Sequence, residues 1–387
     1  MTAMSSGPGD VLDLVRRGRA RTRGDLVDAT GLSRLTVAQR IDALLEARLI
    51  VEGETTGPTG GRRSRSLLFN GRHSLVVVAA VDTTHAQLAV TDLDGTVVAD
   101  HSLAVDVADG PDRVLDALAD GLSRLLAQHG SDPARLSGVG LSLPGPIDPV
   151  TGRPNQPPIM PGWDGYPVAD HLSGALGGVV VHTANDADAA ALGEFAAGYE
   201  GARALCLVKV STGIGAGIVL EGRSYTGADG GAGDIGHVGV DPSSPLVCRC
   251  GAHGCLAALA SGAAVARQLT ELGRPVTHGL EVGALLRAGD PDAGRLTQEA
   301  GRRIGEVLAG LVCVLNPEVL LVGGALASTP LLTGIRETLY RLCLPRATRH
   351  LTLQLGTLGH RAAVVGLTRL VVDRELSAEA VNRRLRG

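Results

Sequence analysis

The sequence predicts an α/β protein made of two similar halves with a cleft between them, preceded by a small helical head that ends in a two-stranded wing. Three observations carry this. Two aliphatic hairpins, VVVAAVDTTHAQLAV (76–90) and ALCLVKVSTGIGAGIVL (204–220), recur along the chain. Each is followed by helical pattern and a returning apolar strand, which is how α/β halves are built. Before them, the residues up to about 45 follow a helical rather than an alternating period.

The head is read in chain order. Val11, Leu12, Leu14 and Val15 suit a first helix, and residues 22–29 suit a second with Thr22 as its N-cap. In TGLS (30–33), Gly31 can take the left-handed conformation that ends a helix and Ser33 can cap the next. Val37, Ile41, Leu44 and Leu45 form the expected buried stripe of the third helix. That leaves Ser33 at the start, and Arg34, Thr36, Gln39 and Arg40 facing outward, side chains able to reach base edges or phosphates from a major groove. LIVEGETTGPTGGRRSRSLLFN (49–70) reads as two strands around a turn-rich tip, with Arg62, Arg63 and Arg65 placed to follow a DNA backbone or enter a minor groove. Residues 1–70 hold eleven arginines against eight acids, about +3, on a chain whose net charge is −4. This balance suits a module that meets double-stranded DNA, and residues 1–70 are expected to form a winged helix-turn-helix domain.

Composition bounds the rest. Of the 387 residues, 44% are hydrophobic, enough for substantial cores, and no apolar run approaches the ~20 residues of a membrane span. The start, MTAMSSGPGD, lacks the features of a signal peptide, so a cytoplasmic location is expected. Six cysteines are too few for a disulfide framework, and the grouping of Cys248, Cys250 and Cys255 suggests a metal. Lys209 is the sole lysine. Arginine supplies the other cationic side chains, read here as a coding habit rather than a functional one.

The body from residue 72 onward gives three successive strands, a helix over 111–129, a strand running into a Pro-Gly loop, and a strand followed by a helix that opens on Asn185-Asp186. The motifs LPGPID (143–148), NDADAAALGE (185–194), STGIGAGIV (211–219), GDIGHVGV (233–240), CRCGAHGC (248–255) and NPEVLLVGG (316–324) together resemble the ROK family of repressors and sugar kinases. The resemblance implies an actin-like, sugar kinase-like body, with a first lobe over 71–190 and a second over 191–387 whose C-terminal helix returns to the first. It also implies a structural Zn2+ held by His237, Cys248, Cys250 and Cys255, with His253 as a possible substitute ligand.

The same resemblance places a sugar-type effector at Asn185, Asp186, Asp234 and His237, with Asp186 in the position of the family's general base. Two departures bear on function. Where family kinases carry small residues in the first phosphate turn, this chain has Thr83-Thr84-His85, bulk where backbone must approach phosphate. Asp234 and Ala257 stand where the family usually has glutamates, so the cavity is expected to be larger and less negative, suited to a modified or phosphorylated sugar. The single tryptophan, Trp163, is either packed or a stacking surface near the cleft. The favoured reading is a DNA-binding regulator, a repressor, without kinase activity, acting as a homodimer or homotetramer on an inverted repeat. The alternatives are a sugar kinase with an added head, and a regulator without a small-molecule effector.

Overall fold

The computed structural model describes residues 7–56, 64–130 and 135–385. In the head, α1 (Pro8–Arg16), α2 (Arg23–Thr30) and α3 (Arg34–Glu46) precede an antiparallel pair, β1 (Ile50–Thr56) and β2 (Ser64–Phe69). The turn chemistry follows the sequence. Thr22 accepts from the Asp25 amide while Asp25 reaches back to the Thr22 amide, a reciprocal cap that satisfies two otherwise unpaired donors. Gly31 ends α2 at φ 69° and Ser33 caps α3. Val37, Ile41 and Leu44 are buried, whereas Leu45 is only partly so and sits at the margin of the stripe.

The body contains two five-stranded sheets. The first takes β3 (Leu75–Val81), β4 (His85–Asp92), β5 (Val97–Ala104), β6 (Leu136–Leu143) and β7 (Val181–Asn185), in the order β5-β4-β3-β6-β7. Helices α4 (Pro111–Gln128) and α5 (Val168–Ala175) belong to this half, and α6 (Asp186–Gly198) leads out of it. The second sheet takes β8 (Ala204–Val210), β9 (Ile214–Leu220), β10 (Arg223–Ser224), β11 (Val319–Gly323) and β12 (Thr352–Leu355), in the order β10-β9-β8-β11-β12. Its helices are α7 (Leu256–Ala260), α8 (Gly262–Glu271), α9 (Gly279–Arg287), α10 (Pro291–Leu315), α11 (Thr329–Leu342) and α12 (Pro345–Thr348). The two orders are the same: an antiparallel meander of three strands continued by two parallel ones. Each strand run reaches its parallel partner through helix, as crossovers require.

The chain closes with α13 (Ala362–Glu375) and α14 (Ala378–Arg384), and these bind the parts together. Helix α13 crosses α6 at backbone distance. A Cβ on Gly366 would fall on the Ala189 carbonyl oxygen, and one on Gly193 on the Ala362 carbonyl oxygen, so only glycine permits this crossing. The other side of α13 meets the head. Val11, Leu12, Ile41 and Leu44 lie in one buried cluster with Val76 and Val78 of β3 and with Leu367 and Val371 of α13. The Gly9 amide donates to Asn382 Oδ1 at 2.8 Å, and Arg16 pairs with Asp373 at 2.7 Å. The head therefore shares its core with the first lobe instead of hanging from a linker.

Candidate functional site

The cleft between the lobes has a volume of about 530 Å³. Its floor is fixed by α6. The Asn185 carboxamide oxygen accepts from the amides of Ala187 (2.8 Å) and Asp188 (3.3 Å), capping the helix, while its NH2 donates to the Gly145 carbonyl at 3.0 Å. Asp186, the first residue of α6, faces the cleft and is not free. The Lys209 ammonium on β8 donates to Asp186 and, at 2.8 Å, to Asp82 at the end of β3. Burial opposes ionisation of Asp82, but the ammonium outweighs it and holds the carboxyl at about 2. Burial pushes Asp186 upward against the same cation, and Lys209, despite its own burial, is held in its charged form by the two carboxylates. The sole lysine of the chain is thus an ion-pair bridge between the first lobe, the start of α6 and the second lobe, which reading it as a coding habit missed. Its retention among so many arginines was the available signal.

A second link lies beside the first. The Thr83 hydroxyl donates to the Thr212 hydroxyl at 3.0 Å, so a side chain of the first hairpin turn meets the Gly-rich turn of the second. This contact ties the two turns together across the cleft. Two residues further along α6, Asp188 is buried with Oδ1 lacking a hydrogen-bond partner, and burial, reinforced by the charges of Asp186 and Asp234, pushes it up to about 8. Asp234 and His237 line the opposite side of the cleft, where burial raises the Asp234 carboxyl.

His237 also belongs to a ligand cluster. One ligand atom each from His237, Cys248, Cys250 and Cys255 lies within 4.8 Å of the others. The Cys250–Cys255 sulfurs are 3.7 Å apart, and His237 Nδ1 is 3.6 Å from the Cys248 sulfur. A tetrahedral site with bonds of about 2.3 Å has ligand separations of about 3.8 Å, so these four fit such a site and could hold a metal ion. His253 is not among them.

Other residues singled out in the sequence lie elsewhere. Trp163 is fully buried and its indole N–H donates to the Val107 carbonyl at 2.9 Å, so it packs the first lobe rather than offering a stacking face. On the head, Ser33, Arg34 and Gln39 are exposed, and Thr36 and Arg40 partly so. The Ser33 and Thr36 hydroxyls bond each other at 2.9 Å within the cap. Arg65 stands on β2 rather than at the wing tip. It pairs with Glu52 of β1 at 2.8 Å, and Glu52 in turn holds Arg23 of α2 at 3.1 Å, which fixes the wing to the helices. Arg62 and Arg63 lie outside the described residues. Two cleft arginines, Arg249 and Arg267, escaped the sequence reading altogether.

Similar proteins fall into two kinds. The glucokinase of Halalkalibacterium halodurans is 32% identical over 322 residues, 78% of this chain and 96% of that protein. The xylose repressor of Bacillus subtilis is 27% identical over 358 residues, 91% of each chain. A solved ROK family transcriptional regulator, a homologue of the Escherichia coli MLC protein, superposes with a TM-score of 0.81 at 25% identity and covers 98% of both chains. The ROK family pattern itself matches residues 78–374, nearly all of the body, including its cleft and ligand cluster. By that match, and by a fold with the actin-like pair of sheets behind a winged head, the chain belongs to the ROK family.

Proposed function

We propose that this chain is a DNA-binding transcriptional repressor whose two-lobed body senses a small molecule and does not transfer phosphate. The observation that carries the reading is the head: a capped helix-turn-helix and wing built into the core of the first lobe. The relatives that match across the head as well as the body support it, since they are named as regulators. Residues 1–70 are the DNA-binding unit. Arg34, Gln39 and Arg40, with Ser33 and Thr36 at the cap, present α3 to a major groove, and Arg62 and Arg63 of the wing sequence follow the backbone, while Arg65 braces the wing through Glu52. A homodimer, or a tetramer built from dimers, then reads an inverted repeat with half-sites about one helical turn apart. The ligand cluster holds Zn2+, which would fix His237 against the cleft as a structural support.

The cleft and the head communicate through two helices. Asn185 and Asp186 sit at the start of α6, α6 crosses α13 at Gly193 and Gly366, and α13 carries Asp373, the partner of Arg16. A ligand preferring one lobe arrangement at Asn185, Asp186, Asp234 and His237 therefore shifts α13 and the head with it.

Identity to a glucokinase favours a second reading, phosphoryl transfer to a sugar. The Thr83–Thr212 contact and the pairing of Asp186 with Lys209 weigh against it. The test uses the full chain, because truncation at residue 70 would strip cover from Val76 and Val78. Genomic fragments retained by the protein are footprinted, and Arg34→Ala, Gln39→Ala and Arg40→Ala are compared on the site found. Losses of about 1–3 kcal/mol with relaxed base preference are expected from residues that read bases. Unchanged binding in all three variants, or saturable ATP turnover with a hexose, refutes the reading.

A further inference from the structure

The cleft has two walls of different chemistry, and only one is self-satisfied. On the floor, Asp82 and Asp186 share the Lys209 ammonium as their ion-pair partner. On the wall formed by α7 and α8, the lining residues are Ala257, Ala258, Ser261, Ala263, Ala264 and Arg267, so Arg267 is the only charged group those helices contribute. Its guanidinium donates to the Ala258 carbonyl at 3.2 Å, and the nearest paired carboxylate, Glu271, is 3.9 Å away and itself well exposed. Most of its five N–H donors are left open. Arg249, from the loop carrying the cysteines, lines the same cleft and has no hydrogen-bond or ion-pair partner among the described residues.

Two guanidiniums line one cavity, Arg249 unpaired among the described residues and Arg267 ion-paired only with a distant, exposed carboxylate, so both keep N–H donors to offer. An oxyacid anion satisfies such donors, and the planar fork of arginine matches carboxylate and phosphate oxygens in pairs. Asp229 and Asp234, also in the lining, belong to the segment carrying His237 and disfavour an anion on that side. The polarity therefore orients a ligand as well as attracting one, and the volume lies in the usual range for small-molecule sites.

We propose that the cleft takes a two-ended ligand, a sugar-like hydroxylated end at Asn185 and Asp186 and an anionic oxyacid group at Arg249 and Arg267. This rests on the sensing function proposed above and adds a specificity to it. The test is calorimetric titration of the full-length protein with glucose, gluconate, glucose 1-phosphate, glucose 6-phosphate and inorganic phosphate, repeated on Arg249→Gln/Arg267→Gln after its thermal melt and metal content are matched to the parent. At least one anionic sugar is expected to bind tenfold or more tightly than glucose, with that ratio collapsing in the double variant and falling with added salt. Gluconate against the two phosphates decides which oxyacid is read. Glucose binding as tightly as every anionic sugar, or a ratio unchanged in the double variant, overturns the inference and leaves sensing intact. Inorganic phosphate matching the best sugar overturns the two-ended ligand. No binding by any probe overturns both the inference and the sensing function.

Discussion

The β3–β4 turn and the β8–β9 turn occupy the same place in two sheets of the same strand order, yet they differ in kind. The first is Asp82-Thr83-Thr84, the second Ser211-Thr212-Gly213. A Cβ at Gly213 would meet nothing within 4 Å, so this turn has open space in front of it. Thr83 closes part of that space from the other lobe. The glycines that follow are not equivalent. A Cβ on Gly217 would fall on the Ala187 carbonyl oxygen, so Gly217 is required by the packing of β9 against α6 whether or not a phosphate is ever bound. Glycines in such a turn are therefore not by themselves evidence for nucleotide binding, and the side chains facing it are the better guide to function.

The sharpest way to break the comparison is to remove what only the second lobe has. Cys250→Ser, or chelation at raised temperature, is expected to cost on the order of 4 kcal/mol, as loss of a metal site does. For a chain of this size that is a fall of roughly 10 °C or more in the melting of the second lobe. Calorimetry alongside elemental analysis checks it. Absence of bound metal in the folded parent, or an equal fall in both lobes, defeats the expectation. Next in size is Lys209→Met, which leaves two buried carboxylates facing each other. A loss of roughly 3–5 kcal/mol is expected in chemical denaturation at neutral pH. Adding Asp82→Asn and Asp186→Asn should recover much of it, and failure to recover would mean that Lys209 acts by packing rather than by charge.

Much of the head was legible because its signals are local. Thr22, Gly31 and Ser33 each act within four residues, and the Cys248, Cys250 and Cys255 spacing brings its own geometry. The lobes were legible from recurring hairpins. What escaped depends on partners distant in sequence. Lys209 meets Asp186 and Asp82 across 23 and 127 positions, and nothing near it in the chain marks it as a bridge. Arg65 looks like part of a basic tip until Glu52 is seen opposite it across the hairpin. The fusion of the head to the body was illegible for a similar reason: Val76 and Val78 read as ordinary strand residues, and only the return of α13 beside them shows why that face of β3 is covered on the head side.

The junction between the lobes also carries a pH dependence. Asp188 lies on α6 toward β9, and burial raises its folded carboxyl to about 8 from the ordinary aspartate value of 3.8. The folded state therefore holds a proton that the unfolded chain releases. This contribution to stability is complete below about pH 4 and is lost as pH rises toward 8, at up to about 1.4 kcal/mol per pH unit. Asp188→Asn removes the titration, so its stability relative to the parent should rise between pH 5 and 8, by on the order of 1 kcal/mol or more at the upper end. Parallel stability curves for parent and variant across that range would contradict the assignment.

The smallest effect tests the first turn directly. Thr83→Ala deletes one hydroxyl and with it the link to Thr212, a partly buried hydrogen bond whose net worth is about 0.5–1.5 kcal/mol. Because that bond spans the lobes, its loss should appear less in global unfolding than in the ease of opening the cleft, read as faster amide exchange at Thr212 and Gly213 under native conditions. Exchange in β8, which pairs with β9 and β11 inside its own lobe, should stay the same. Thr83→Gly adds backbone freedom and should speed exchange further. Neither variant should turn over ATP, since Lys209 still pairs with Asp186 and leaves no free base. ATP turnover in Thr83→Gly would show that side-chain bulk in this turn, rather than the bridge at Lys209, is what separates the cleft from kinase chemistry.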